Sequence, residues 1–333
     1  MNLSDYFYLC GVNADLRNIA PLESSIERLF EKRSRIQKGR PLPSASVNRI
    51  RDDFAMEWTY NSNSIEGNTL SLRETIMVLK DGITIGGKSL REHFEAINHE
   101  KAIDYLYSIV NSKYVLRSID ILNLHGLVMK NIEDEFAGRI RNGAVRIVGA
   151  NFTPPNASRV SDLLDELIEY INTNPQGLND VLLATVFHHK LVWIHPFFDG
   201  NGRTVRLAMN LLLIRTGFPP AIILKNDRKK YYDALNTANK GDYSKLALLM
   251  IQALERSLNI YINAIPGNDE TYELISNIVS EDQAPYGQEY ISLLARQGKI
   301  DAYKEGRNWL TTRKAVEAYI EGRKRKRVVK KTK

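Results

Sequence analysis

His195-Pro196-Phe197-Phe198-Asp199-Gly200-Asn201-Gly202-Arg203-Thr204-Val205-Arg206 is the stretch on which the reading of this chain turns. Upstream, Val181 to Ile194 (VLLATVFHHKLVWI) is apolar almost throughout and reads as a buried helix. Downstream, Arg203 to Thr216 (RTVRLAMNLLLIRT) spaces its apolar residues for a second helix that ends at Gly217. The quoted stretch is therefore a loop between two helices, and the fold is expected to be mainly α.

Gly200 and Gly202 flank Asn201, and such a turn reaches positive φ, so that successive N–H groups converge on one point. The turn opens into a helix N-terminus, whose unpaired amides and dipole favour an anion, usually a phosphate. Arg203 and Arg206 lie three apart and project from one side of the first helical turn, offering two forks for two phosphates. Asp199 supplies the single carboxylate that often holds Mg2+ beside a polyphosphate. His195 precedes them, and its ordinary pKa near neutrality suits it to take a proton from an attacking hydroxyl. Phe197 and Phe198 are expected to point away and pin the loop to the core. Each of these residues alone has a plain reading as a cap or turn former. Together they aim too many polar groups at one anion pocket for a structural loop. The spacing also departs from the ordinary phosphate-binding loop, which has four residues between its glycines and then Lys-Ser/Thr.

His195 to Arg206 matches HPFxDGNGRxxR position for position, and on it the chain resembles the Fic family, whose members typically transfer AMP from ATP to a hydroxyl of a target protein. The resemblance implies a Fic-type helical core and a protein adenylyltransferase that uses ATP with Mg2+ and acts on a partner protein. It implies that His195 deprotonates a Ser, Thr or Tyr hydroxyl and that Asp199 holds Mg2+ between the phosphates. Gly200, Asn201 and Gly202 would form the anion hole, Arg203 would bind the phosphates and Arg206 the γ-phosphate, with Thr204 and Val205 inside the nucleotide-binding stretch.

Gly138 to Pro155 (GRIRNGAVRIVGANFTPP) has strand-like alternation closed by glycine and proline turns, which predicts a short hairpin. In Fic proteins the matching hairpin, the flap, pairs with the target backbone and lines the nucleotide site, with Val148, Gly149, Ala150 and Asn151 nearest its tip. Arg228 to Asp242 (RKKYYDALNTANKGD) resembles the family segment that closes the adenine pocket. An aromatic face can stack on a base, and an Asn side chain offers adenine a donor and an acceptor together. Tyr231, Tyr232 and Asn239 are the matching positions, although a Tyr-Tyr pair on a helix is expected to be partly core.

Ser62-Asn63-Ser64-Ile65-Glu66-Gly67-Asn68 reads by itself as a short polar helix stopped by glycine. Beside a Fic signature it matches the inhibitory motif [S/T]xxxE[G/N], with Ser62, Glu66 and Gly67 in the defining positions. The resemblance implies that Glu66 pairs with Arg206 and so competes with the nucleotide for one guanidinium. This pair favours ATP over the other phosphate-linked donors that some relatives use. Some relatives with this glutamate also remove AMP, and the sequence leaves that open.

The 333 residues carry 46 Lys and Arg against 39 Asp and Glu, a formal +7. Eight of those basic residues fall between Arg323 and Lys333, so the body is close to neutral. Cys10 is the sole cysteine, which excludes an internal disulfide or a multi-cysteine zinc site and suits a reducing cytoplasm. No basic segment followed by a long apolar run opens the chain, and apolar stretches such as Leu246 to Leu254 are too short to span a bilayer. A cytoplasmic protein with no membrane partner is expected. His188 and His189 are adjacent on a helix, point apart, and read as core groups rather than metal ligands.

Gln288 to Glu321 predicts a short helix, a turn at Gly298, a strand over Lys299–Lys304, a turn at Gly306-Arg307, a return strand and a final helix. The pattern resembles a small winged helix-turn-helix. Arg296, Lys299, Lys304, Arg307, Arg313 and Lys314 would be its phosphate contacts on DNA, with the basic tail adding more. Such a module serves equally for dimerisation, giving a homodimer, or for protein docking. The competing function is thus a DNA-binding regulator whose Fic core senses nucleotide. Leu22 to Pro43 contains an amphipathic helix expected to pack in the N-terminal cap. Turn formers at Pro266-Gly267-Asn268-Asp269 set a linker. The expected divisions are 1–110 (N-terminal helical region with the inhibitory motif 62–67), 111–264 (Fic core), 265–280 (linker), 281–322 (winged-helix-like domain) and 323–333 (basic tail).

Overall fold

The computed structural model describes residues 6–39, 44–111, 113–147, 149–265, 271–281 and 286–331. A hairpin of β1 (Tyr6–Leu9) and β2 (Val12–Asp15) comes first. Ten helices follow among the described residues: α1 (Glu23–Lys38), α2 (Ser44–Ile65), α3 (Leu72–Asp81), α4 (Leu90–Ile109), α5 (Ser118–Met129), α6 (Val160–Thr173), α7 (Asp180–Ile194), α8 (Asn201–Arg215), α9 (Arg228–Ala238) and α10 (Ser244–Asn263). The chain then runs through β3 (Glu273–Leu274), α11 (Ile275–Glu281), α12 (Gln288–Arg296), β4 (Ala302–Glu305), β5 (Asn308–Thr311) and α13 (Arg313–Lys331). It divides into two compact units, Met1–Ala20 with Val47–Met250, and Pro21–Ser46 with Ile251–Lys333.

In the first unit, α7 and α8 form the central pair, and α5 and α4 also pack on α8. Both central helices are buried on nearly every face, as their apolar sequences require. Around them lie helices with one apolar stripe. α6 turns Val160, Leu163, Leu164, Leu167 and Ile171 inward at three- and four-residue spacing. Ser71 with Glu74, and Ser89 with Glu92, form capping boxes that fix the starts of α3 and α4. The β1–β2 hairpin pairs Tyr6 with Asp15 and Leu9 with Val12, and Lys190 on α7 donates to the Leu9 and Val12 carbonyls on either side of its turn.

In the second unit, β3, β5 and β4 form a three-stranded antiparallel sheet in that order. Ile275, Ile278, Ile291, Leu294, Ile300 and Val316 make its core. The hairpin between α12 and α13 turns at Gly306, as the sequence pattern implied; β3 and α11 had no counterpart in that reading. Arg313 pairs with Glu273, so this candidate phosphate contact already has an acidic partner. The backbone of α13 continues to Lys331, through most of the stretch read as a tail. The turn formers Pro266 to Asp269 lie outside the described residues.

Two expectations are corrected. The helix within Leu22–Pro43 belongs to the second unit: Arg28 and Lys32, one turn apart on α1, both reach Glu255 on α10, and Lys32 also reaches Asn259 and Asp301. Within Gly138–Pro155 the described residues form no strand. A turn is present, with the Ala150 N–H donating to the Ile147 carbonyl, but the arms make no ladder. The Arg141 side chain bonds the carbonyls of Gly143 and Pro155 instead. Among the described residues no helix is long and apolar enough to cross a membrane.

Candidate functional site

α7 ends at His195, whose φ of 51° and ψ of 63° are left-handed and whose N–H still bonds the Leu191 carbonyl. Pro196 follows and prevents the helix from continuing. The loop is then held from within by Asn201. Its amide accepts from the Phe197 N–H at 3.0 Å and donates to the Phe197 carbonyl at 2.8 Å. Phe197 is buried and stacks on His125, with ring centroids 3.6 Å apart. The Gly138 N–H donates to His125 Nδ1, which leaves Nε2 to carry the proton and donate to the Asp199 carbonyl at 3.0 Å.

Gly200 caps α8 with φ 73°, and a Cβ there would meet Met129 Sδ at 2.7 Å, so the position needs glycine twice over. The first bond into α8 runs from the Thr204 N–H to the Gly200 carbonyl. The amides of Asn201, Gly202 and Arg203 therefore precede the helical ladder and face the cleft as donors. Glu66, His195, Phe198, Asp199, Gly200, Asn201, Gly202 and Arg203 line that cleft.

Each charge in the cleft meets an opposite one. Arg206, 2% exposed, donates from Nε to Ser62 Oγ (3.0 Å) and from NH2 to the Ser62 carbonyl (2.8 Å), while NH1 lies 2.8 Å from Glu66 Oε1. Burial is the largest influence and works against its charge, but Glu66, Tyr231 and Tyr232 together outweigh it and the guanidinium holds its proton more tightly than usual. Arg203 NH1 lies 3.0 Å from Glu95 Oε1, and its NH2 lies 3.6 Å from Asp199 Oδ1. Asp199 Oδ2 pairs with Arg91, which also reaches Glu95 and Glu133. Burial raises the Asp199 carboxyl; Arg203, the Gly200 amide and Arg91 together overcome this and hold it below the ordinary value. Burial pushes the His195 imidazole down to about 4, with the Arg141 charge adding to the effect. His195 is thus neutral at pH 7 and able to accept a proton.

The comparisons with known proteins converge on this region. The Fic/DOC family matches residues 115–213, which contain the whole loop. A solved structure of Fic-1 from Caenorhabditis elegans superposes with a TM-score of 0.65 at 34% identity, covering 73% of each chain. The chain belongs to the Fic/DOC family. A Fic domain containing signaling protein from Bacteroides thetaiotaomicron has the same fold, with a TM-score of 0.66 at 25% identity over 73% of this chain and 97% of that one. The protein adenylyltransferase Fic of Aedes aegypti is 34% identical over 265 residues, 79% of this chain. The chain spans about half the length of the curated Fic relatives it matches: 52%, 58% and 44% of the first three.

The other residues expected from the Fic resemblance are spread over the cleft, the core and the 138–155 segment. Asn151 and Asn239 meet at 2.9 Å, and Asn239 Oδ1 also bonds His189 Nε2, so the amide proposed for adenine is engaged within the protein. Tyr231 is buried, 1% exposed, and its hydroxyl bonds His188. Tyr232 is half-buried under the Arg228 guanidinium, and Arg228 Nε donates to the Ile65 carbonyl at the end of α2. Thr204 and Val205 are buried in the first turns of α8, and neither lines the cleft as Arg203 does. Phe198 lines the cleft against Phe136 instead of pinning the loop to the core. Gly149 and Ala150 sit in the turn at the tip of the 138–155 segment, and Gly67 follows α2 with φ 106°. Val148 lies outside the described residues.

Sequence reading missed Arg91, Glu95, His125 and Arg141. The Ser89–Glu92 capping box starts the helix that carries Arg91 and Glu95, but nothing local marks their partners, Asp199 in the loop and Arg203 on α8. Arg141 was absorbed into the alternation of the expected hairpin.

Proposed function

We propose that this chain transfers AMP from ATP to a Ser, Thr or Tyr hydroxyl of a target protein, and that Glu66 restrains the transfer. The observation that carries the reading is the cleft itself: a neutral His195 stands beside the open amides of α8, with Asp199 and Arg203 on the same wall. The names of the curated relatives, protein adenylyltransferases of Aedes aegypti and Caenorhabditis elegans, support the same reaction and give no support to DNA binding.

In this reading the polyphosphate lies over the first turn of α8, where the amides of Asn201, Gly202 and Arg203 and the helix dipole oppose its charge. The target hydroxyl oxygen bonds to the α-phosphorus as its proton passes to His195. The bond from the α-phosphorus to the oxygen bridging to the β-phosphate breaks, and pyrophosphate leaves with that electron pair. Arg203 and Arg206 grip the leaving phosphates.

Asp199 fits Mg2+: it is an ionised hard oxygen donor at the edge of the phosphate cleft. Among the described residues no group of three or more His, Cys, Asp or Glu could hold a metal, so the other ligands would come from phosphate and water. Bound there, Mg2+ would supply positive charge against the departing pyrophosphate.

The test is incubation of the Glu66→Gly protein with ATP labelled at either the α- or the γ-phosphate. Label should stay on protein only from the α position and vanish in Glu66→Gly/His195→Ala. Retention of γ-label, or α-label that survives loss of His195, overturns the reading.

A further inference from the structure

Arg141 is 2% exposed, and among the described residues no carboxylate pairs with it. Every described bond from its guanidinium goes to a backbone carbonyl. Nε donates to His195 at 2.8 Å, NH1 to Gly143 at 2.9 Å, and NH2 to Pro155 at 2.6 Å with a longer bond to Ile194 at 3.5 Å. Its own N–H donates to the Pro196 carbonyl at 2.9 Å. One residue thus reaches three successive carbonyls, 194 to 196, at the point where α7 ends and the loop begins.

Burying an uncompensated guanidinium is costly, and burial does lower its proton affinity. The cost is offset by filling the donors and by placing a cation at the negative end of the α7 dipole. Something less demanding could cap a helix, so the arrangement calls for a reason beyond capping. The reason lies in His195, a non-glycine residue held at positive φ, a conformation that persists only where the surroundings impose it. The other two carbonyls belong to Gly143 and Pro155, which bracket the 147–150 turn. The same fork therefore ties the histidine backbone to both feet of the segment beside the cleft.

We propose that Arg141 is the positioning residue of the transfer reaction, fixing the left-handed backbone of His195 so that the imidazole meets the target hydroxyl, and locking the 143–155 segment to it. This rests on the reading of His195 as the base. A lysine cannot replace the fork, because a single ammonium on a flexible stem lacks the planar spread that reaches carbonyls on both sides.

The experiment uses Arg141→Lys in the Glu66→Gly protein. The turnover for AMP transfer should fall at least tenfold, while KM for ATP and the affinity for a non-hydrolysable ATP analogue change less than threefold. In protein labelled with 13C-histidine, the ring signal of His195, assigned through His195→Ala, should shift on Arg141→Lys, and those of His93 and His99 on α4 should stay. An unchanged turnover, or turnover and analogue affinity falling together with a lower melting temperature, overturns the proposal. If the Glu66→Gly parent shows no AMP transfer at all, the functional reading fails, and the His195 signal alone decides whether Arg141 positions that ring: an unmoved signal overturns the proposal.

Discussion

Glu66 Oε1 lies 2.8 Å from Arg206 NH1, and the same oxygen sits so close over Gly202 that a Cβ there would stand 2.0 Å from it. One carboxylate therefore does two things: it neutralises the second arginine of the loop and stands over the amides at the start of α8, where a phosphate would bind. The end of α2 that leads into Glu66 is strapped down. Arg206 holds Ser62, the Lys225 N–H bonds Asn61, Arg228 caps the Ile65 carbonyl, and Asn63 and Asn68 reach back to α4.

The close approach at Gly202 can be tested without nucleotide. Gly202→Ala should push Glu66 off Arg206 and lower stability by about 1–2 kcal/mol, the scale of a lost charge-assisted bond whose acid is about a third exposed. In the Glu66→Gly background the same substitution should cost much less, because the overlap is gone. Equal costs in the two backgrounds, read from urea unfolding, would show that the carboxylate is not there.

Arg91 acts as an internal counter-cation for Asp199, and a metal ion must compete with it. Removing it with Arg91→Ala should tighten Mn2+ binding in the presence of ADP by up to about fivefold, the range set by the modest strength of an exposed ion pair. Calorimetric titration measures this. Unchanged or weaker binding would mean that Arg91 does not oppose the ion.

Acid should weaken the fold above the range where carboxylates titrate. Burial holds His125 and His195 near 4 and His189 near 3, against an ordinary 6.5, and puts His99 and His188 well below it. Between pH 6.5 and about 4 the unfolded chain takes up protons that the folded chain refuses, so stability falls as pH falls. Each such histidine contributes a slope of about 1.4 kcal/mol per pH unit. Urea midpoints at pH 7.5, 6.5 and 5.5 should fall slightly over the first interval and more steeply over the second; a flat profile down to pH 5.5 would contradict the buried, neutral histidines.

In the second unit Lys32 bonds Glu255, Asn259 and Asp301 and is 4% exposed. Lys32→Met should destabilise by about 3 kcal/mol, near the lower end for breaking a buried pair, since Arg28 still serves Glu255. A change below about 1 kcal/mol in unfolding experiments would mean that water already screens the cluster.

The central helices were legible because α7 and α8 are rich in apolar residues and meet at a glycine-rich loop that no other reading fits. The hairpin at Tyr6–Asp15 was legible too and was passed over: Phe7, Leu9 and Ala14 alternate with outward residues about a Cys10-Gly11 turn. The 138–155 stretch misled in the opposite sense. Its alternation is real, but Arg141 collects the carbonyls that a strand partner would have taken.

Within the site, the helical period puts Arg203 and Arg206 on one face and turns the side chains of Thr204 and Val205 to others. Arg91 was out of reach, because its partner Asp199 is 108 positions away and nothing in either neighbourhood names the other. Glu66 lies even farther from Arg206, yet that pairing was readable through family resemblance. The difference is a recurring motif, not a stronger physical signal.

The most direct test compares initial rates of AMP incorporation from α-labelled ATP in the wild-type and Glu66→Gly proteins, at equal concentration and with Mg2+. Freeing Arg206 from a buried charge-assisted pair should raise the rate at least tenfold, as a change of about 1.4 kcal/mol or more requires. Equal rates would contradict the claim that Glu66 restrains this site.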